Sequence, residues 1–176
     1  VFHLQQEIPI AELKECIKLG INNFLFRSDL FTANKRWVIK LCKAIQEEGL
    51  KIKWACNSRV DTINEEMLIE MKKAGCWLGS FGVESGDPDM LEKMKKLVDF
   101  DAIEPAIRLC RKVGVKSSVY FLIGLPWENM QTFENTKQFA RKLDPDFIEF
   151  FYSYPFHGTE FYRIAVEEGL LKEGEF

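Results

Sequence analysis

The five cysteines, Cys16, Cys42, Cys56, Cys76 and Cys110, are too widely and irregularly spaced to form a CxxC or CxxxCxxC motif. Neither a zinc site nor a cluster site can therefore be read from them. Several fall on apolar positions of helical patterns, where a free cysteine behaves as a small buried hydrophobe. A reducing cytosol suits them, so the expected location is cytoplasmic. Histidine is scarce, with only His3 and His157, and no Ser–His–Asp order is convincing. There is no signal peptide and no apolar run long enough to span a bilayer. Charge of one sign is not in excess: the net charge is −3 with acids and bases interleaved, which gives no nucleic-acid or membrane surface. No GxGxxG and no phosphate-cradling P-loop is present, so neither a dinucleotide nor a nucleoside triphosphate is indicated. Linkers and low-complexity segments are also missing, and 176 residues read as a single domain, 1–176.

What is present is a rhythm of helical pattern, Gly, short apolar strand and polar turn. The organising stretch is Val119-Tyr120-Phe121-Leu122-Ile123-Gly124-Leu125-Pro126-Trp127-Glu128. Its continuous apolar start reads as a strand buried on both faces, and its Gly-x-Pro turn delivers Glu128 beyond the carboxyl end. Other strands are expected at Asn23 to Arg27, Lys51 to Cys56, Trp77 to Val83 and Asp146 to Tyr152. Helices are expected from Ile10 to Leu19, Lys35 to Glu48, after an N-cap at Asn64, after Asp87-Pro88, and over Ala102 to Val113, Met130 to Leu143 and Thr159 to Glu168. Pro105 is assigned to a first helical turn, because it would break a helix interior. Strands alternating with helices at this spacing predict an α/β fold. The fold class is a partial (β/α) barrel of about five parallel strands in sequential order, with helices on the outer face.

The placement of polar residues favours the barrel over a doubly wound sheet. Turns that follow strands hold Arg27, Asp29, Thr32, Asn57, Arg59, Asp61, Glu84, Ser85, Glu128, Tyr152, Tyr154 and Thr159. Turns that precede strands hold mostly Gly and ordinary helix ends. Five such turns at one end of a curved sheet would make a single polar mouth. Gly82-Val83-Glu84-Ser85-Gly86 lets the backbone approach a ligand while Glu84 and Ser85 offer acceptors and a donor, which suits vicinal ribose hydroxyls. Arg59 has a planar fork suited to a carboxylate, and Asp29 could accept from an ammonium group. The ligand so described has a ribose, an amino group and a carboxylate. Glu84 and Glu128 could alternatively be a hydrolytic acid/base pair, although nothing fixes their geometry.

Five ordered segments carry a resemblance. They are Phe26 to Thr32, Trp54 to Asp61, Gly82 to Gly86, Phe121 to Glu128, and Tyr154-Pro155-Phe156-His157-Gly158-Thr159-Glu160. Together they resemble the radical S-adenosylmethionine (SAM) enzymes, especially the cobalamin-associated branch. The resemblance implies a partial barrel with SAM and a four-iron–four-sulfur cluster at the strand carboxyl ends. By that resemblance Glu84 and Ser85 would touch the SAM ribose, Arg59 its carboxylate and Asp29 the methionine moiety. Gly124 through Glu128, with Pro126 between them, would line adenine. The family's CxxxCxxC is missing, and the first strand here corresponds to the family's second. The 4Fe-4S cluster, and any cobalamin, are therefore expected only in a full-length parent enzyme that cleaves SAM reductively and acts on a small molecule. The chain would be the C-terminal part of that barrel, inactive alone, with an exposed edge at Asn23 to Arg27. That edge invites self-association unless a second copy or the first helix covers it. The alternative is a non-catalytic nucleoside- or SAM-binding interaction module.

Overall fold

Polar caps set where the helices begin. Asn34, Asn64, Asp87, Asp99, Asn129 and Thr159 each accept a backbone N–H from the first turn of the helix they open. In the computed structural model, which describes residues 7–28, 30–96 and 98–174, seven α-helices result. They are α1 (Glu7–Lys18), α2 (Lys35–Glu47), α3 (Glu65–Lys73), α4 (Pro88–Lys93), α5 (Phe100–Val113), α6 (Met130–Leu143) and α7 (Glu160–Glu167). Between them run β1 (Asn23–Phe26), β2 (Lys53–Ser58), β3 (Cys76–Glu84), β4 (Lys116–Ile123) and β5 (Phe147–Tyr152). All the expected elements are present, with boundaries shifted by up to three residues.

The strands form one sheet in the order β1-β2-β3-β4-β5, and every neighbouring pair is parallel. Among the described residues the strand order does not reverse, so the doubly wound alternative is excluded and the partial-barrel expectation holds. One face carries Trp54, Cys56, Phe81, Val83, Val119 and Phe121, which pack with Val38, Leu41, Met67, Met71, Ile103 and Ile107 of the helices. Trp54 is fully buried, and its indole N–H donates to the Ala74 carbonyl at 2.8 Å. The opposite face is an open concavity of about 1040 Å³, walled by Leu25, Ala55, Leu78, Ser80, Tyr120 and Glu149.

Two expectations are corrected. The organising strand is not buried on both faces: Val119 and Phe121 are buried, whereas Tyr120 and Leu122 are half-buried. Tyr120 borders the open concavity rather than a second layer of helices. Pro105 is not in a first turn either, because the Asp99 cap starts α5 at Phe100 and makes Pro105 its sixth residue. Proline there deprives the Asp101 carbonyl of its intrahelical donor. Both residues face solvent, where water can replace the missing bond, and the helix runs on to Val113.

At the edges, β1 is flanked by α1 and α2, which leave a cavity of about 560 Å³ beside it. Along β5 every residue is exposed, including Phe147, Ile148, Phe150 and Phe151. Among the described residues no helix is long and apolar enough to cross a membrane.

Candidate functional site at the strand carboxyl ends

Parallel strands in register bring their exits to one rim. Phe26 lies beside Cys56, Ser58 beside Phe81, Glu84 beside Phe121 and Ile123 beside Tyr152. After β1, Arg27 and Ser28 are exposed, and Asp29 lies outside the described residues. The buried Thr32 hydroxyl hydrogen-bonds to both the Ser58 and the Thr62 hydroxyls. That link stitches the exit of β1 to the exit of β2.

After β2, Arg59 closes a fork on Asp61, with Nε 2.9 Å from Oδ1 and Nη2 2.6 Å from Oδ2. The hydrogen bond from Arg59 is the main reason the Asp61 carboxyl is held below its usual range. The fork that sequence reasoning assigned to a ligand carboxylate is thus closed on a side chain two residues away.

The exit of β3 is the most specialised part of the rim. Gly82 pairs with Tyr120 but Glu84 pairs with Phe121, so Val83 is an extra residue, a bulge that re-aims the chain as it leaves the strand. Glu84 sits at φ +70°, a left-handed conformation that costs a non-glycine residue about 1 kcal/mol or more. Its carboxylate folds back over Gly82, where an added Cβ would lie 2.5 Å from Oε1. Lys96 Nζ donates to that oxygen at 2.8 Å, with side-chain exposures of 27% for Lys96 and 19% for Glu84.

Ser85 turns the other way. Its buried hydroxyl accepts the Asp87 N–H at 3.1 Å and meets the Thr136 hydroxyl of α6 at 3.0 Å. Thr136 also accepts the Gly86 N–H at 3.1 Å, and Asp87 accepts from Asn135 Nδ2 at 2.7 Å. Ser85 therefore fastens the Glu84 turn to α6.

After β4, Gly124 has φ +80° and its N–H donates to Glu128 Oε2 at 2.6 Å. The Glu128 N–H donates to the Leu125 carbonyl at 2.9 Å, with Pro126 in the second position of that turn. Glu128 thus closes its own loop. Glu84 and Glu128 have separate partners, and no hydrogen bond joins them. After β5, the Ser153 hydroxyl donates to the Ile123 carbonyl at 3.0 Å, while His157 lies against the Tyr162 ring.

Arg59, Glu84, Ser85, Gly124, Pro126 and Glu128 all sit at strand exits, yet only Glu84 has its carboxylate held by a side chain from another segment. Sequence reading missed Lys96, which stands in the unremarkable run Lys93-Met94-Lys95-Lys96. It also missed Asn135 and Thr136, whose partners lie about fifty residues away. Neither set carries a local signal.

Known proteins resemble this chain in sequence and in fold. An uncharacterized methyltransferase of Pyrococcus horikoshii is 37% identical over 152 residues, which is 86% of this chain and 33% of that protein. The anaerobic magnesium-protoporphyrin IX monomethyl ester cyclase of Cereibacter sphaeroides is 30% identical over 72% of this chain and 21% of its own length. The chain thus spans a third or less of these curated relatives. Among solved structures, the radical SAM methyltransferase TsrM of Kitasatospora setae, with cobalamin and a [4Fe-4S] cluster bound, superposes with a TM-score of 0.76 at 20% identity, covering 86% of this chain and 32% of that one. The model of the radical SAM superfamily matches residues 1–140. An open parallel sheet in sequential order, its specialised turns gathered at the strand exits, and a family match over most of its length place the chain in the radical SAM superfamily.

Proposed function

We propose that this chain forms the SAM-binding rim of a radical SAM enzyme acting on a small molecule. Methyl transfer is the reaction class for which two of the three relatives above are named. The observation that carries the reading is Glu84. A strained, partly buried carboxylate stands at a bulged strand exit over a glycine with no Cβ, which is a cradle for hydroxyl groups. Glu84 accepts from the ribose hydroxyls, Ser85 and α6 hold its turn in place, and the Gly124 to Glu128 loop is a wall for adenine. Arg59 reaches the methionine carboxylate only if Asp61 shares its fork, and the role proposed for Asp29 toward the same moiety rests on the sequence alone.

When bound in a radical SAM enzyme, SAM and a four-iron–four-sulfur cluster supply a 5′-deoxyadenosyl radical or a transferable methyl group, chemistry that belongs to the cofactors. The cysteines of this chain do not fit such a cluster. Cys42, Cys56, Cys76 and Cys110 are buried in the core. Burial pushes Cys42 and Cys110 up to about 12, and a hydrogen bond with Cys56 raises Cys76 well above the ordinary thiol value. Burial of this kind disfavours the thiolate form that metal binding needs. No three potential ligands converge among the described residues. The cluster, and any cobalamin, therefore belong to the full-length enzyme in this reading.

The test is calorimetry with S-adenosylhomocysteine. Glu84→Gln keeps the side-chain shape and removes the charge, so affinity should fall about tenfold, roughly 1.4 kcal/mol. Unchanged binding in a variant with a native circular dichroism spectrum refutes the ribose assignment.

A further inference from the structure

The ion pair at the β3 exit differs from the others on the surface. Most salt bridges among the described residues join exposed chains, such as Lys95–Glu160 or Arg111–Asp144, whereas both members of Lys96–Glu84 are largely withdrawn from water. Backbone geometry holds Lys96 in place. The Lys95 N–H donates to the Glu92 carbonyl at 2.8 Å and the Lys96 N–H to the Leu91 carbonyl at 2.9 Å. With Lys95 left-handed at φ +55°, this is the Schellman ending of α4. At its other end, α4 is capped by Asp87, which Asn135 ties to α6. Of the three non-glycine residues with positive φ among the described residues, Glu84 is one member of this pair and Lys95 immediately precedes the other.

We propose that Lys96 is a second ligand-binding residue that, with Glu84, recognises a vicinal diol. The inference rests on the ribose reading above and deepens it. Each ribose hydroxyl is both a donor and an acceptor. A carboxylate can only accept, so Glu84 alone would leave the ribose oxygens without donors as the site loses water. An ammonium carries three N–H donors. One is spent on Glu84 Oε1, and the others stand beside the same carboxylate, where a hydroxyl held by Glu84 must lie. Gly82 keeps the approach open: a Cβ there would stand 2.5 Å from Glu84 Oε1 and 3.5 Å from Lys96 Nζ. The pair thus offers acceptor and donor side by side, which matches a cis-diol better than a lone alcohol or an anion.

The experiment compares adenosine, 2′-deoxyadenosine and 3′-deoxyadenosine on wild-type protein, Lys96→Met and Glu84→Gln, with thermal midpoints confirming that each variant is folded. Lys96→Met should weaken adenosine about tenfold, and this loss should vanish for the deoxynucleoside lacking the hydroxyl that Lys96 contacts. An equal change for all three nucleosides makes Lys96 only the counter-ion of Glu84 and overturns the inference while the ribose reading stands. If wild-type protein does not bind adenosine, or Glu84→Gln leaves that binding unchanged, the ribose reading fails and this inference with it.

Discussion

A methyl group added at Gly86 would stand 2.5 Å from Phe139 Cβ and 2.8 Å from Thr136 Cα. The first neighbour is the root of a side chain and the second is helix backbone, so neither can swing aside cheaply. Gly86→Ala should therefore cost about 1–3 kcal/mol by overpacking. It should lower the melting midpoint by a few degrees and push the Glu84 turn off α6, weakening nucleoside binding as well. A melting curve superimposable on the wild type would show that α6 yields at this contact. At this scale the sequence was partly legible. Glu84 stood out because glycines frame it and a strand precedes it. Its left-handed backbone did not, since conformation at one residue depends on the bulge made with β4. Lys96 was invisible for a different reason: a lysine among lysines takes on meaning only when the end of α4 aims it at another turn. Ser85 and Glu128 were picked out by type, but their local hydrogen bonds, to Asp87 and Gly124, turn them into fasteners of the loops that bear them.

Elements were read more fully than residues, because caps and periodicity are local. Asn64, Asp87 and Thr159 open the helices expected of them, and α6 has the expected limits. The miss in α5 shows where local rules conflict. Proline argued for a late start, the Asp99 cap argued for an early one, and the cap prevailed because Ile103, Ala106, Ile107 and Cys110 bury one face of the helix. Apolar burial of that size outweighs one lost hydrogen bond on the wet side. Pro105→Ala restores the N–H to the Asp101 carbonyl without touching the buried face. It should stabilise the protein by about 1 kcal/mol or more, seen as a higher urea midpoint at an unchanged slope. A lower midpoint would mean that the proline ring packs favourably where the structure shows it exposed. The apolar run of β4 misled for a related reason: hydrophobicity alone does not tell a wall of helices from an open concavity.

Across the whole molecule, stability is graded from the middle of the sheet outward. β3 has a hydrogen-bonded neighbour on each side and a helix-covered face, while β1 and β5 are outer strands and β5 is exposed along its length. Amide exchange should therefore be slowest in Ser80 and Phe81 and at least a hundredfold faster in β5, following local opening rather than global unfolding. Uniform protection across the five strands would instead indicate one cooperative unit. The sequential order has one more consequence, and it concerns synthesis. Because each strand pairs only with the strands next to it in the chain, no partner of an emerging strand is still waiting to be translated except the next one. A ribosome can thus lay the sheet down one plank at a time, each new crossover helix covering the joint just made, so that beyond the outer edge of β1 a nascent chain has just its newest edge open to aggregation.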